Sequence, residues 1–286
     1  MYLKFMNLRV FPFSTTSEEK FFYESAGHAE ALASMVYAIQ QRKGLVLITG
    51  EVGAGKTFLS NVLASRLRDS TQVIMIAHPP DSAKQLLRAL AEGLGVKVSA
   101  EDDKLSILLP LEKHLEKLQR RGRQVAVIFD EVQTMPDEAL EEVRLIWNWE
   151  REGQRLLQIV LIGQPQLMER LRLPRWDSLQ QRVAMSYHLG PLSQTDTARY
   201  ILHHRKVASY NGCPLRFTVR ALESIHSATR GIPRLINVLC DNALLAAYAK
   251  GTPKITSGLV AEVLRDMTCW GLNVSAPSDD DASEST

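Results

Sequence analysis

Hydrophobic positions fall into two regimes along the 286-residue chain. Between residues 45 and 190, short apolar runs alternate with stretches at helical spacing. The runs lie at 45–49, 73–77, 125–129, 156–162 and 183–189. Residues 125–129 (Val-Ala-Val-Ile-Phe) are apolar at every position, the signature of a strand buried on both faces of a parallel sheet. The intervening stretches place apolar residues on one helical face. Examples are Phe58, Leu59, Val62, Leu63 and Leu67, then Leu140, Val143, Ile146 and Trp147. Helices are predicted over 58–67, 82–94, 105–121, 136–151 and, briefly, 166–171. An upstream helix over 28–41 carries Leu32, Met35, Val36 and Ile39 and stops at Lys43-Gly44. Strands alternating with helices predict an α/β fold, a five-stranded doubly wound parallel sheet. Beyond Gly190-Pro191 only the helical period remains, over 194–209, 219–229, 233–249 and 257–267, punctuated by Asn211-Gly212, Gly231 and Gly251. The expected organisation is an aromatic-rich linker at 1–27, an α/β domain at 28–190, a small all-helical domain at 191–272 and a disordered acidic tail at 273–286.

The first strand runs directly into Gly50-Glu51-Val52-Gly53-Ala54-Gly55-Lys56-Thr57, and a helical pattern beginning with Phe58 follows. Strand, glycine loop and helix together turn the G-x-x-x-x-G-K-T pattern into a physical phosphate site. Glycines let backbone N–H groups turn inward around a polyphosphate, and the helix start adds its positive dipole end. Lys56 brings a point charge to the β- and γ-phosphates, and Thr57 offers a hydroxyl to Mg²⁺.

A second motif answers the first. Asp130 and Glu131 end the 125–129 strand, 74 residues after Lys56. A carboxylate there suits Mg²⁺, and its neighbour suits polarising the water that attacks a γ-phosphate. Asp130 is assigned to the metal and Glu131 to the base. Glu after Asp favours hydrolysis over transfer to a small molecule. Gln164 ends the fourth strand, where a side chain reaches toward the γ-phosphate and the water. Arg182 precedes the fifth strand, a position from which an arginine serves a neighbouring subunit's γ-phosphate. Arg234 starts a helix of the C-terminal domain and is assigned to the nucleotide.

Bulk composition narrows the class without naming a partner. The chain is 45% hydrophobic and 23% charged with a formal charge of +2, as an ordinary globular protein is. Residues 275–286 hold four acidic residues and no basic one, so the rest carries +6, and 191–274 holds ten Lys/Arg against five Asp/Glu. That basic helical region is compatible with nucleic acid as well as with a solvated surface. Three widely spaced cysteines exclude a disulfide framework and a cysteine metal site. No run reaches the ~18 apolar residues of a membrane span. The expected location is cytoplasmic. His203 and His204 read as surface residues, and Phe22 and Tyr23 as candidates to stack on adenine or to cover the sheet edge.

The order GEVGAGKT, VIFDE, LIGQP, QQRV and GIPRLINVLCDNAL resembles the AAA+ ATPases near the initiator and clamp-loader branch. It is more closely similar to the ExeA/GspA (general secretion pathway protein A) family, over residues 8–270. The resemblance implies Walker A at Gly50–Thr57, Walker B at Asp130 and Glu131, sensor 1 at Gln164, an arginine finger at Arg182 and sensor 2 at Arg234. It also implies ATP and Mg²⁺ held between the subunits of a homo-oligomer, ring or filament. Secretion-type members continue into a membrane span and a periplasmic peptidoglycan-binding domain, whereas this sequence reads as the AAA+ module alone. The expected partner is a secretion, pilus or export complex of the cell envelope, with recruitment to the inner membrane through it. The alternatives are an ATP-dependent regulator on duplex DNA, as in transposition, and a nucleotide switch with negligible turnover.

Overall fold

The computed structural model of the protein describes residues 2–14 and 18–269. The acidic segment 273–286 lies outside them. The described residues divide into two compact units, one of residues 26–52 and 56–189, the other of 2–14, 18–25, 53–55 and 190–269.

The first unit is an α/β layer structure. In chain order it comprises α2 (Ala26–Gln40), β1 (Leu45–Gly50), α3 (Lys56–Leu67), β2 (Thr71–Ile76), α4 (Ala83–Leu94) and α5 (Lys104–Arg120). There follow β3 (Gln124–Phe129), α6 (Asp137–Trp147), a hairpin of β4 (Glu150–Arg151) and β5 (Gln154–Arg155), then β6 (Gln158–Gly163), α7 (Pro165–Leu171), α8 (Asp177–Gln180) and β7 (Val183–Leu189). Five strands form one sheet in the order β2-β3-β6-β1-β7, parallel throughout. Successive strand residues face opposite sides. Leu45, Leu47, Val127, Phe129, Ile159 and Leu161 pack with apolar residues of α4 to α7 in one core. Their alternates Val46, Ile48, Ala126, Ile128, Val160 and Ile162 are equally buried, on the side where α2 and α3 pack on β1. Burial on both faces is why these strands read as unbroken apolar runs. Because the strands are parallel, the loops after β1, β3 and β6 all leave the same edge of the sheet. Open α/β sheets bind ligands at that carboxyl edge.

One predicted element is shorter than expected. The helix expected over 136–151 ends at Trp147, and residues 150–155 form the hairpin, turning at Glu152 and Gly153 with φ of +53° and +73°. The helical period of Leu140, Val143 and Ile146 does not continue past Trp147, so the chain is free to turn.

The second unit is built on α9 (Gln194–Ala208), α10 (Val219–Thr229), α11 (Pro233–Ala249) and α12 (Ser257–Cys269). Ser193 and Thr218 cap α9 and α10 by accepting the N–H of Asp196 and Ala221. Ile201, Ile225, Ile236, Leu239, Leu244 and Val260 are fully buried. Two two-residue strands, β8 (Arg216–Phe217) and β9 (Lys254–Ile255), pair in parallel, a feature too short for periodicity to register. Gly231, at φ +73°, is forced by packing, since a Cβ there would stand 2.0 Å from the Leu192 carbonyl oxygen.

The described residues 2–14 and 18–25 cluster with this unit. They open with α1 (Tyr2–Phe5), and Leu8 bridges to Ser209. Tyr2 Oη donates to Asp241 Oδ1 at 2.5 Å, and Tyr23 Oη to Asp196 Oδ1 at 2.9 Å. His204 is 3% exposed, its Nδ1 2.7 Å from the Pro12 carbonyl oxygen and its ring stacked on Phe13. The surface reading of His204 is therefore corrected: the N-terminal segment covers it.

Candidate active site

The loop between β1 and α3 takes its shape from Gly53 and Gly55, at φ +82° and +97°. Lys56 opens α3 and is 5% exposed. Its Nζ donates to the carbonyl oxygens of Gly50, at 2.8 Å, and Glu51, at 3.0 Å, so the ammonium is held against the loop's own backbone. Burial pulls its pKa below the ordinary lysine value, opposed by the negative charges of Glu131, Asp130 and Glu51. A cation at a helix start is unfavourable in the helix dipole, and this placement makes sense for a site that receives an anion.

Thr57 and Asp130 meet across 73 residues of sequence: Thr57 Oγ1 donates to Asp130 Oδ2 at 2.6 Å. Asp130 is 3% exposed, and its other oxygen accepts the N–H of Glu131 at 2.9 Å. β3 fixes it there, because the Asp130 N–H extends the ladder to the Ile76 carbonyl. A hydroxyl and a carboxylate converging at this distance make an all-oxygen donor pair suited to a hard cation such as Mg²⁺. Glu131 follows in the left-handed region at φ 53°, ψ 34°. Gln164, immediately after β6, donates from Nε2 to Glu131 Oε2 at 3.3 Å. The same oxygen accepts from Gln133 Nε2 at 2.5 Å. Gln133 carried no sequence signal, since a glutamine two residues beyond an acidic pair has the look of ordinary loop polarity.

The remaining assigned residues stand differently. Glu51, Val52 and Thr57 are exposed, Gly53, Gly55 and Phe58 half-buried, and Ala54 buried. Within the second unit, the Arg234 N–H donates to the Gly53 carbonyl at 3.2 Å, and a Cβ on Gly53 would lie 2.6 Å from Arg234 Cβ. Arg182 is not brought to Asp130 or Glu131 by any described bond. It donates to the Ser178 carbonyl at 2.6 Å and lies over the Trp147 ring, 5.5 Å from its centroid. Arg182 therefore has partners within its own chain.

Comparison with known proteins fits this geometry. A family model described as an AAA domain matches residues 39–171, the span holding the phosphate loop, Asp130, Glu131 and Gln164. An AAA domain is thus present over residues 39–171. The chain is 41% identical to general secretion pathway protein A of Aeromonas hydrophila across 94% of its own length. It spans about half of that relative, 50%. Among solved structures, it is similar in fold to the CDC6P protein of Pyrobaculum aerophilum, with TM-score 0.69, 15% identity and coverage of 89% of this chain and 70% of that one. The Aeropyrum pernix ORC2 protein, solved as ADPNP-ADP complexes, gives TM-score 0.66 at 16% identity, covering 87% and 71%. The RuvB Holliday junction branch migration motor of Thermotoga maritima gives 0.54 at 15% identity, covering 86% and 73%. These likenesses establish the fold. Among the described residues no helix is long and apolar enough to cross a membrane.

Proposed function

We propose that this AAA-domain protein binds ATP with Mg²⁺ and hydrolyses it to assemble or remodel a protein complex of the secretion or export type. The observation that carries the reading is the 2.6 Å meeting of Thr57 Oγ1 and Asp130 Oδ2 beside the buried Lys56 ammonium. Mg²⁺, held by Thr57 and Asp130, would neutralise charge on the β- and γ-phosphate oxygens. Lys56 would exchange its two carbonyl partners for phosphate oxygens. Glu131 would accept the proton of the attacking water, with Gln164 orienting both. Arg234 would contribute from the start of α11, and Arg182 would leave Trp147 to meet the γ-phosphate of a neighbouring copy. The envelope partner rests on the relative named general secretion pathway protein A, of which this chain spans half.

The test is specific ATPase rate against protein concentration, with and without duplex DNA. A rate rising with concentration and indifferent to DNA is expected of a self-assembling ATPase with a protein partner. Activity that appears only with DNA would instead favour the duplex-bound regulator that the basic 191–274 region is compatible with. Arg182→Ala should keep ATP binding and lose turnover; unchanged turnover contradicts the role in trans.

A further inference from the structure

Gln133 lies in the single 3-10 turn Val132–Thr134 after Glu131 and works at both ends of its amide. Nε2 donates to Glu131 Oε2 at 2.5 Å, and Oε1 accepts the backbone N–H of Gln164 at 3.0 Å. Gln164 Nε2 donates to the same Glu131 oxygen at 3.3 Å. These three bonds close a ring joining the end of β3 to the end of β6. The fit is close, because a Cβ on Gly163 would come within 2.9 Å of Gln133 Oε1. Glu131 meanwhile keeps a left-handed backbone at φ 53°, which costs a non-glycine residue about 1 kcal/mol or more. The turn adds two bonds of its own to the Glu131 carbonyl, from Thr134 N at 3.0 Å and Thr134 Oγ1 at 2.9 Å.

Both amide donors converge on one carboxylate oxygen. Oε1 takes part in neither bond. We propose that Gln133 is a positioning residue for hydrolysis: it holds Glu131 by Oε2 so that Oε1 is presented to the attacking water. The inference rests on the ATPase reading above. In the step concerned, the water oxygen bonds to the γ-phosphorus as the bond to the β-phosphate oxygen breaks. The water proton passes to Glu131 Oε1 and then to solvent, giving ADP and phosphate. Anchoring Gln164 through its backbone also ties the base to β6, the strand lying between β1 and β3.

A merely bracing role for Gln133 makes a different prediction. Gln133→Glu keeps the size and the acceptor for the Gln164 N–H, but turns the donor facing Glu131 into a like charge. Gln133→Met keeps the length and removes both ends. In the full chain both variants should bind ATP within about twofold of the parent, while kcat falls about tenfold or more, the scale of a misplaced general base. On a Glu131→Gln background, Gln133→Glu should add no further loss, since its effect passes through that carboxylate. Either variant at the parental kcat overturns the proposal, as does a parallel loss of ATP affinity or an additive loss on Glu131→Gln. A parent chain that binds ATP but hydrolyses none overturns the ATPase reading itself and the positioning role with it. Turnover in the parent with no effect of Gln133 sinks the positioning role alone.

Discussion

The two units bury polar side chains to opposite ends. At the carboxyl edge of the sheet, Lys56 is held by backbone carbonyls, Asp130 by a hydroxyl and Glu131 by two glutamine amides. These are weak or replaceable partners, which a polyphosphate and a cation can displace. In the helical unit, Tyr2, Tyr200 and His204 are closed in by fixed parts of the same chain, namely Asp241, Asn237 and the Pro12 carbonyl. Polarity gathered at strand ends is poised for a ligand, whereas polarity sealed under a chain segment fastens that segment. The difference teaches that burial of a titratable group does not by itself mark a functional site; what surrounds the group does.

The largest effect that would sharpen this contrast lies at Glu131. Glu131→Gln should lower kcat about a thousandfold while ATP remains bound, the scale of a lost general base. Single-turnover hydrolysis with a filter-binding measurement checks both halves. A variant that turns over normally would make the sheet-edge cluster as structural as the one in the helices.

Next comes a packing test in the helical unit. Gly231→Ala should destabilise that unit by at least about 3 kcal/mol, because it combines an unfavourable φ with a clash against backbone. Denaturant unfolding measures it, and a change under about 1 kcal/mol would contradict the geometry.

The helical cluster should also respond to acid. Burial depresses the His204 pKa from 6.5 to about 4, against the upward pull of its hydrogen bond to the Pro12 carbonyl. The unfolded chain then binds the proton more readily than the folded one. The stabilisation is present above pH 6.5 and is lost progressively as pH falls from there toward 4. The loss amounts to about 3 kcal/mol, read as earlier proteolysis or hydrogen exchange of residues 1–25 at low pH. His204→Phe should flatten that dependence.

How much of this was legible in the sequence follows the same division. The phosphate loop and the acidic pair could be read because their chemistry needs fixed residue types at fixed spacing, set against strands whose apolar runs are unmistakable. Gln133 could not be read, since its role depends on Gln164 arriving beside it from another strand. The contacts of the N-terminal segment could not be read for a related reason. Its aromatics have no period, and their partners, among them His204 and Asp241, lie about two hundred residues away. His204 itself looked like a surface residue beside His203 until the segment above it was placed. Arg182 was assigned from its position before the fifth strand, but position did not disclose that Trp147 already holds it.

The smallest effect concerns that arginine. Loss of its contact with Trp147 in Arg182→Ala should cost stability by about 0.5–1 kcal/mol, since Arg155 still covers the ring at 4.1 Å. A cost several times larger, by denaturant unfolding, would make Arg182 a structural residue of the sheet unit.

The central claim is that the Lys56, Thr57 and Asp130 cluster is a nucleotide site. The most direct test is calorimetric titration of ATP into the full chain and into Lys56→Ala, each with and without Mg²⁺. The parent should bind ATP, more tightly with Mg²⁺, and Lys56→Ala should bind at least about a hundredfold more weakly. Equal affinity in parent and variant, or no binding by the parent, would contradict the account.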